Sequence, residues 1–90
     1  MSAARLTAYR RYVAANVRGL RLEAKLTQEA FVSRVSGLAV RTLQTIEAGH
    51  ANISLELLVG MAEALHVEPA RLLRPATFKR TKPGRPSKKR

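Results

Sequence analysis

Few side chains in this chain can make or break bonds, and their types decide the first question. Among 90 residues there is no Cys and no Asp, so acid/base chemistry would have to draw on six Glu and on His50 and His66. The lack of thiols removes disulfide frameworks, thiol nucleophiles and thiolate metal sites. The sequence offers no nucleophile–base pair, no metal-ligand cluster and no glycine-rich loop that would cradle a phosphate. Positive charge, by contrast, is plentiful: 17 Lys and Arg against six acids give a formal +11. An excess of that size points to a polyanionic partner. The expectation is a binding protein and not an enzyme, with no cofactor, no metal and no small-molecule substrate.

The charge is unevenly placed. From Met1 to Leu73 nine basic residues face six Glu, whereas Arg74 to Arg90 holds eight basic residues and no acid. That last stretch also carries three of the four Pro and one large apolar side chain, Phe78, so it cannot offset the entropy of ordering. Residues 1–73 are therefore expected to form one domain, and residues 74–90 a basic tail that is disordered when free. At 46% apolar the domain can build a core. A unit this small buries only about 60% of its unfolded surface, and dimerisation would help it. The longest charge-free run, Ala48 to Leu55, is far short of the roughly 20 apolar residues a spanning helix needs. Arg5, Arg10 and Arg11 are not followed by an apolar stretch long enough for a signal peptide. A soluble, cytoplasmic, nucleoid-associated protein with no membrane partner is expected, and no room is left for an effector domain.

The apolar period before Leu73 is helical throughout, which predicts an all-α fold, a compact five-helix bundle. Leu6, Tyr9, Val13, Val17, Leu20 and Ala24 step by three or four along one face of a first helix over about 4–24. Thr27 offers an N-cap to a second helix, Gln28 to about Arg34, with Phe31 and Val35 inward. Ser36-Gly37 is a turn signal, and a third helix over about 39–48 buries Leu43 and Ile46 before Gly49 stops it. Ser54 caps a fourth helix over 55–65 that turns Leu55, Leu58, Met61, Ala62 and Leu65 inward. Glu68-Pro69 opens a fifth, short helix through Leu73.

Two short helices joined by a tight Gly-containing turn are the layout of a helix-turn-helix. The residues Leu26-Thr27-Gln28-Glu29, followed by Gly37 to Gly49, strongly resemble the phage-repressor or XRE-type helix-turn-helix family. The resemblance extends from about Asn16 to Leu73, and its pieces occur in the right order and approximate spacing. Between Gln28 and Glu47 the chain has one residue more than the family's commonest pattern. The surplus falls before Gly37 and should lengthen the second helix or loosen the turn at Val35-Ser36.

The resemblance implies that the third helix enters the major groove of DNA, with Val40, Arg41, Gln44 and Thr45 as the base readers. Their chemistry suits base reading, because Arg can bridge guanine O6 and N7, Gln can bridge adenine N6 and N7, and Val can meet a thymine methyl. The alternative is that these residues are simply the solvated face of an amphipathic helix. Gln28 and Thr27, at the start of the second helix, are implied to contact the DNA backbone, as are His50 and Asn52 in the loop after the third. Glu47 lies in a last helical turn, where an acid opposes the macrodipole and needs a cation. The family correspondence pairs it with Arg21 in a partly buried bridge.

Lys82 to Arg90 resembles an AT-hook, a minor-groove element built around Arg-Gly-Arg-Pro, with Pro83 in place of the first Arg. Gly84, Arg85 and Pro86 would enter a narrow A·T groove, with Lys82, Lys88, Lys89 and Arg90 on phosphates. A nonspecific basic tail is the alternative, and it too would lie on DNA. The resulting expectation is a sequence-specific transcriptional regulator of double-stranded DNA, a repressor that reads an inverted-repeat operator as a homodimer. Its dimer surface would involve Val67, Leu72, Leu73 and Phe78. Two other readings are a protein-interaction module, such as an antitoxin or coactivator bridge, and a nonspecific DNA-binding protein.

Overall fold

The computed structural model describes residues 2–76, and every described element is helical. Four α-helices follow one another: α1 (Ala3–Glu23), α2 (Gln28–Val32), α3 (Val40–Glu47) and α4 (Leu55–Ala64). A 3-10 helix, Pro69–Leu73, ends the described chain. The starts are set by hydroxyl caps. Ser2, Thr27 and Ser54 accept from the amides of Arg5, Ala30 and Leu57 at 3.2, 3.0 and 3.0 Å, each three residues on.

The ends are equally alike. After α1, α3 and α4 the chain turns through a positive-φ residue, Lys25, Gly49 and His66 respectively. In each case the amides of that residue and of the next one reach back to carbonyls of the last turn, the second being Leu26 N to Arg21 O (3.0 Å), His50 N to Thr45 O (3.1 Å) and Val67 N to Ala62 O (3.0 Å). Only α3 uses glycine for this conformation.

Packing builds a single core from Val17, Phe31, Leu43, Ile46, Met61 and Leu72, all essentially inaccessible, with Val13, Val35, Leu38, Leu58, Ala62 and Leu65 around them. Helix α1 packs on α3 and on the 3-10 helix, and α2 packs on α3. The inward stripe of α1 is narrower than its apolar period suggests. Leu6 is half-buried, Tyr9 is exposed and rests edge-on against Tyr12, and Ala24 lies in the terminal turn. The first turns of α1 run past the core, which explains the shortfall. Leu55 is not inward either: at 74% exposed, it sits in the first helical position after the Ser54 cap, ahead of the contact.

The fifth element corrects the expected count. It is a 3-10 helix and not an α-helix, so the described bundle has four α-helices. It has only five residues, bounded by Pro69 at its start and Pro75 after it, and the proline holds Arg74 in an extended conformation (φ −80°, ψ 152°). Leu72 anchors it in the core, so that side chain is unavailable to a dimer surface; Val67 is partly buried against the same core, and Leu73 stays exposed. Phe78 lies outside the described residues. Helix α2 is short, and residues 33–39 form a long connection of successive tight turns pinned by buried Val35 and Leu38, with Gly37 at φ 80°.

The left-handed residues give a stability test. A side chain at positive φ costs about 1–2 kcal/mol relative to glycine, part of which is offset by the added freedom of an unfolded glycine. Replacing His66 or Lys25 by Gly should each raise the stability of the full chain by about 0.5–1 kcal/mol, and Gly49→Ala should lower it by about 1 kcal/mol. Urea unfolding followed by circular dichroism reads all three.

Candidate nucleic-acid interface

Helix α3 is amphipathic by sequence and splits cleanly in the fold. Leu43 and Ile46 are buried, whereas Arg41, Gln44 and Thr45, spaced i, i+3, i+4, share the opposite, exposed face. Val40 is half-buried at its edge. The Arg41 guanidinium has no hydrogen-bond or ion-pair partner among the described residues, and the residue is exposed, so its donors are open to a ligand. The Thr45 hydroxyl donates to the Arg41 carbonyl at 3.1 Å, which leaves its methyl group and its acceptor lone pairs for a ligand. Ala39 stands at the N-cap and supplies no side-chain acceptor, so the first amides of α3 lack the cap that the other three α-helices have.

Behind this face lies a buried ion pair. Arg21 Nε donates to Glu47 Oε2 at 2.7 Å and Nη2 donates to Oε1 at 3.0 Å, with the two side chains 7% and 6% exposed. The remaining Arg21 nitrogen, Nη1, donates to the Leu26 carbonyl at 2.8 Å. One guanidinium thus joins α1, the end of α3 and the turn into α2.

Gln28 extends the arrangement to the surface. Its Nε2 donates to Glu47 Oε1 at 3.3 Å, and its Oε1 accepts from Gln44 Nε2 at 3.2 Å. Because a carboxylate can only accept, Gln28 must offer Glu47 its NH2 end, which turns its oxygen toward Gln44. Gln44 in turn presents its amide in one sense, with its Oε1 and one N–H still uncommitted. That is the donor and acceptor pair an adenine edge requires.

The surrounding residues divide by placement. The Thr27 hydroxyl caps α2 and keeps its own proton for a further acceptor. His50 and Asn52 are exposed in the loop after α3, and Asn52 Oδ1 accepts from Arg10 of α1. Asn16, not singled out by sequence reasoning, is wholly buried. Its Nδ2 donates to the carbonyls of Leu72 (3.0 Å) and Arg74 (2.8 Å), and its Oδ1 accepts from Arg71 (3.0 Å), latching the 3-10 helix to α1. The available signal was a polar residue between Val13 and Val17 on a buried stripe. The tail residues Lys82, Gly84, Arg85, Pro86, Lys88, Lys89 and Arg90 lie outside the described residues.

Among the described residues no group of three or more His, Cys, Asp or Glu could hold a metal ion, and no helix is long and apolar enough to cross a membrane. A family profile for the helix-turn-helix, of the XRE type, matches residues 17–72, more than half of the chain. The chain therefore belongs to the XRE-type helix-turn-helix family, a family of DNA-binding regulators. No curated protein and no solved structure matches it.

The buried pair is open to test. Removing one partner strands a buried charge, at a cost of about 3–5 kcal/mol. Glu47→Ala should therefore leave the domain largely unfolded at room temperature or lower its melting temperature by well over ten degrees. A melting curve that overlays the parent's would show that the pair carries no such energy.

Proposed function

We propose that this chain is a sequence-specific transcriptional regulator that acts as a repressor and binds an inverted-repeat operator as a homodimer in the nucleoid. The observation that carries the reading is the outer face of α3. Arg41 is exposed with its full donor set, one turn from a Gln44 whose amide polarity is set by the Arg21–Glu47–Gln28 chain. Val40 and Thr45 flank them with apolar surface for thymine methyls. Gln28, Thr27, His50 and Asn52 lie on or beside the elements that meet the backbone, and contacts of that kind fix register without reading sequence.

The basic tail has a different role. Lys82, Gly84, Arg85, Pro86, Lys88, Lys89 and Arg90 lie along the phosphates or in an A·T minor groove, where positive charge is attracted whatever bases α3 reads. Dimerisation spaces two copies of α3 about 34 Å apart, one turn of B-DNA, and exposed Leu73 contributes to that surface.

Selection from a random duplex pool should return an inverted repeat with half-sites one helical turn apart. Arg41→Ala should cost about 1–3 kcal/mol per half-site, about 2–6 kcal/mol on the whole duplex, and relax the preference at one base position of each half-site. Equal affinity of the parent chain for selected and random duplexes would reduce it to a nonspecific binder. Deleting residues 75–90 should leave the base preference intact and flatten the plot of log K against log salt by about 0.9 for each phosphate that the tail had neutralised. An unchanged slope would place the tail away from the DNA.

A further inference from the structure

Residues 3–16 of α1 precede the segment, 17–72, that the family profile matches. The loop after α3 comes to rest against this extension. A Cβ on Gly49 would lie 3.9 Å from Arg11 Cγ and 4.0 Å from Ala14 Cβ, and Tyr9, Arg10 and Val13 line a shallow groove with Ala51, Asn52 and Ile53. Across it, Arg10 Nη2 donates to Asn52 Oδ1.

That bond has only one chemical sense. Arginine has donors and no acceptor, so the oxygen of Asn52 must face it and the NH2 end must point elsewhere. Asn52 is exposed, which leaves that donor end open to a ligand. Arg10 holds this position despite a local cost, because its Nε is covered and has no acceptor among the described residues. An arginine extended into water would satisfy every donor it has.

We infer that Arg10 is a positioning residue for the DNA backbone: it fixes the Asn52 amide with its N–H donors toward a phosphate beside the α3 footprint. The inference rests on the DNA-binding reading proposed for α3 and extends the interface to a stretch of α1 outside the matched segment. The inference gives Arg10 an indirect part: one of its Nη2 donors holds Asn52, and the phosphate is met by the amide. Asn52 then contributes a neutral donor to an anion, an interaction stronger than a neutral pair.

The test is a double-mutant cycle in the full chain on the duplex recovered by random-pool selection, with melting temperatures taken alongside. Asn52→Ala should weaken binding about tenfold, Arg10→Gln by about the same factor, and the double variant by no more than either alone. Asn52→Asp keeps the oxygen that Arg10 needs but lacks the outward donor, so it should melt like the parent and bind worse than Asn52→Ala. Losses that multiply to about a hundredfold in the double variant, or an Asn52→Asp chain that binds like the parent, would overturn the inference. A parent chain with no preferred duplex would instead remove the functional reading itself, so the two failures are separable.

Discussion

The Arg21–Glu47 pair is the constraint on which the rest of the fold turns. It sits where α1, the α1–α2 turn and the end of α3 converge, and its two side chains are almost sealed from water. Burial makes it a poor source of net stability, because the desolvation of two ions nearly cancels their attraction. What it supplies is registration: Arg21 satisfies three separate acceptor atoms, and no sliding of α3 along α1 preserves all three bonds. It also answers a local problem. Glu47 lies in the last turn of α3, where the helix dipole is unfavourable to an anion, and the guanidinium beside it offsets that repulsion. The same carboxylate then orders Gln28, and through Gln28 the exposed Gln44, so a buried charge determines how a surface amide is presented.

Such external registration is needed because α3 is weak on its own. Eight residues make barely two turns, well below the length at which an isolated helix is stable in water. It also lacks a hydroxyl cap, unlike α1, α2 and α4. Its helicity therefore derives from Leu43 and Ile46 in the core, from Glu47 in the ion pair, and from the glycine at its end. Gly49 permits the left-handed turn without strain, at the point where a Cβ would come to rest against Arg11 and Ala14. An element stabilised by three tertiary anchors is held rigidly, which is what the proposed matching of base edges would require.

Much of this was legible in the sequence, and the reasons differ by residue. Phe31, Leu43, Ile46, Leu58 and Met61 follow from apolar residues recurring at helical spacing, and Val35 is buried as that spacing expects although α2 ends before it. The caps follow from Thr27 and Ser54 standing just before periodic segments. Periodicity fails at helix ends, where it cannot tell whether a turn overlies the core or runs past it. Leu55 and Tyr9 depart from the expected stripe for that reason. It also fails for polar residues whose partners are remote in sequence: Asn16 meets carbonyls 56 and 58 residues away, and Arg10 meets a loop 42 residues on. The 3-10 geometry of Pro69–Leu73 lay beyond pattern reading too, since a proline at the first position opens an α-helix or a 3-10 turn alike and the apolar spacing of five residues does not separate them.

The distribution of charge bears on how the proposed activity would be partitioned. Phosphate contacts made by the eight basic residues of Arg74–Arg90 would strengthen binding to every duplex equally, so they add affinity and no discrimination. In that proposal discrimination would come from α3, where Arg41 and Gln44 have the paired groups for bidentate base contacts. At about 1–3 kcal/mol each, one chain could distinguish its site by roughly 2–6 kcal/mol. Specific binders typically achieve about 4–10 kcal/mol over nonspecific DNA, a range one copy barely enters and two copies on an inverted repeat span. In the proposed reading a dimer is called for less by any exposed apolar patch than by the small number of readers an eight-residue helix can carry.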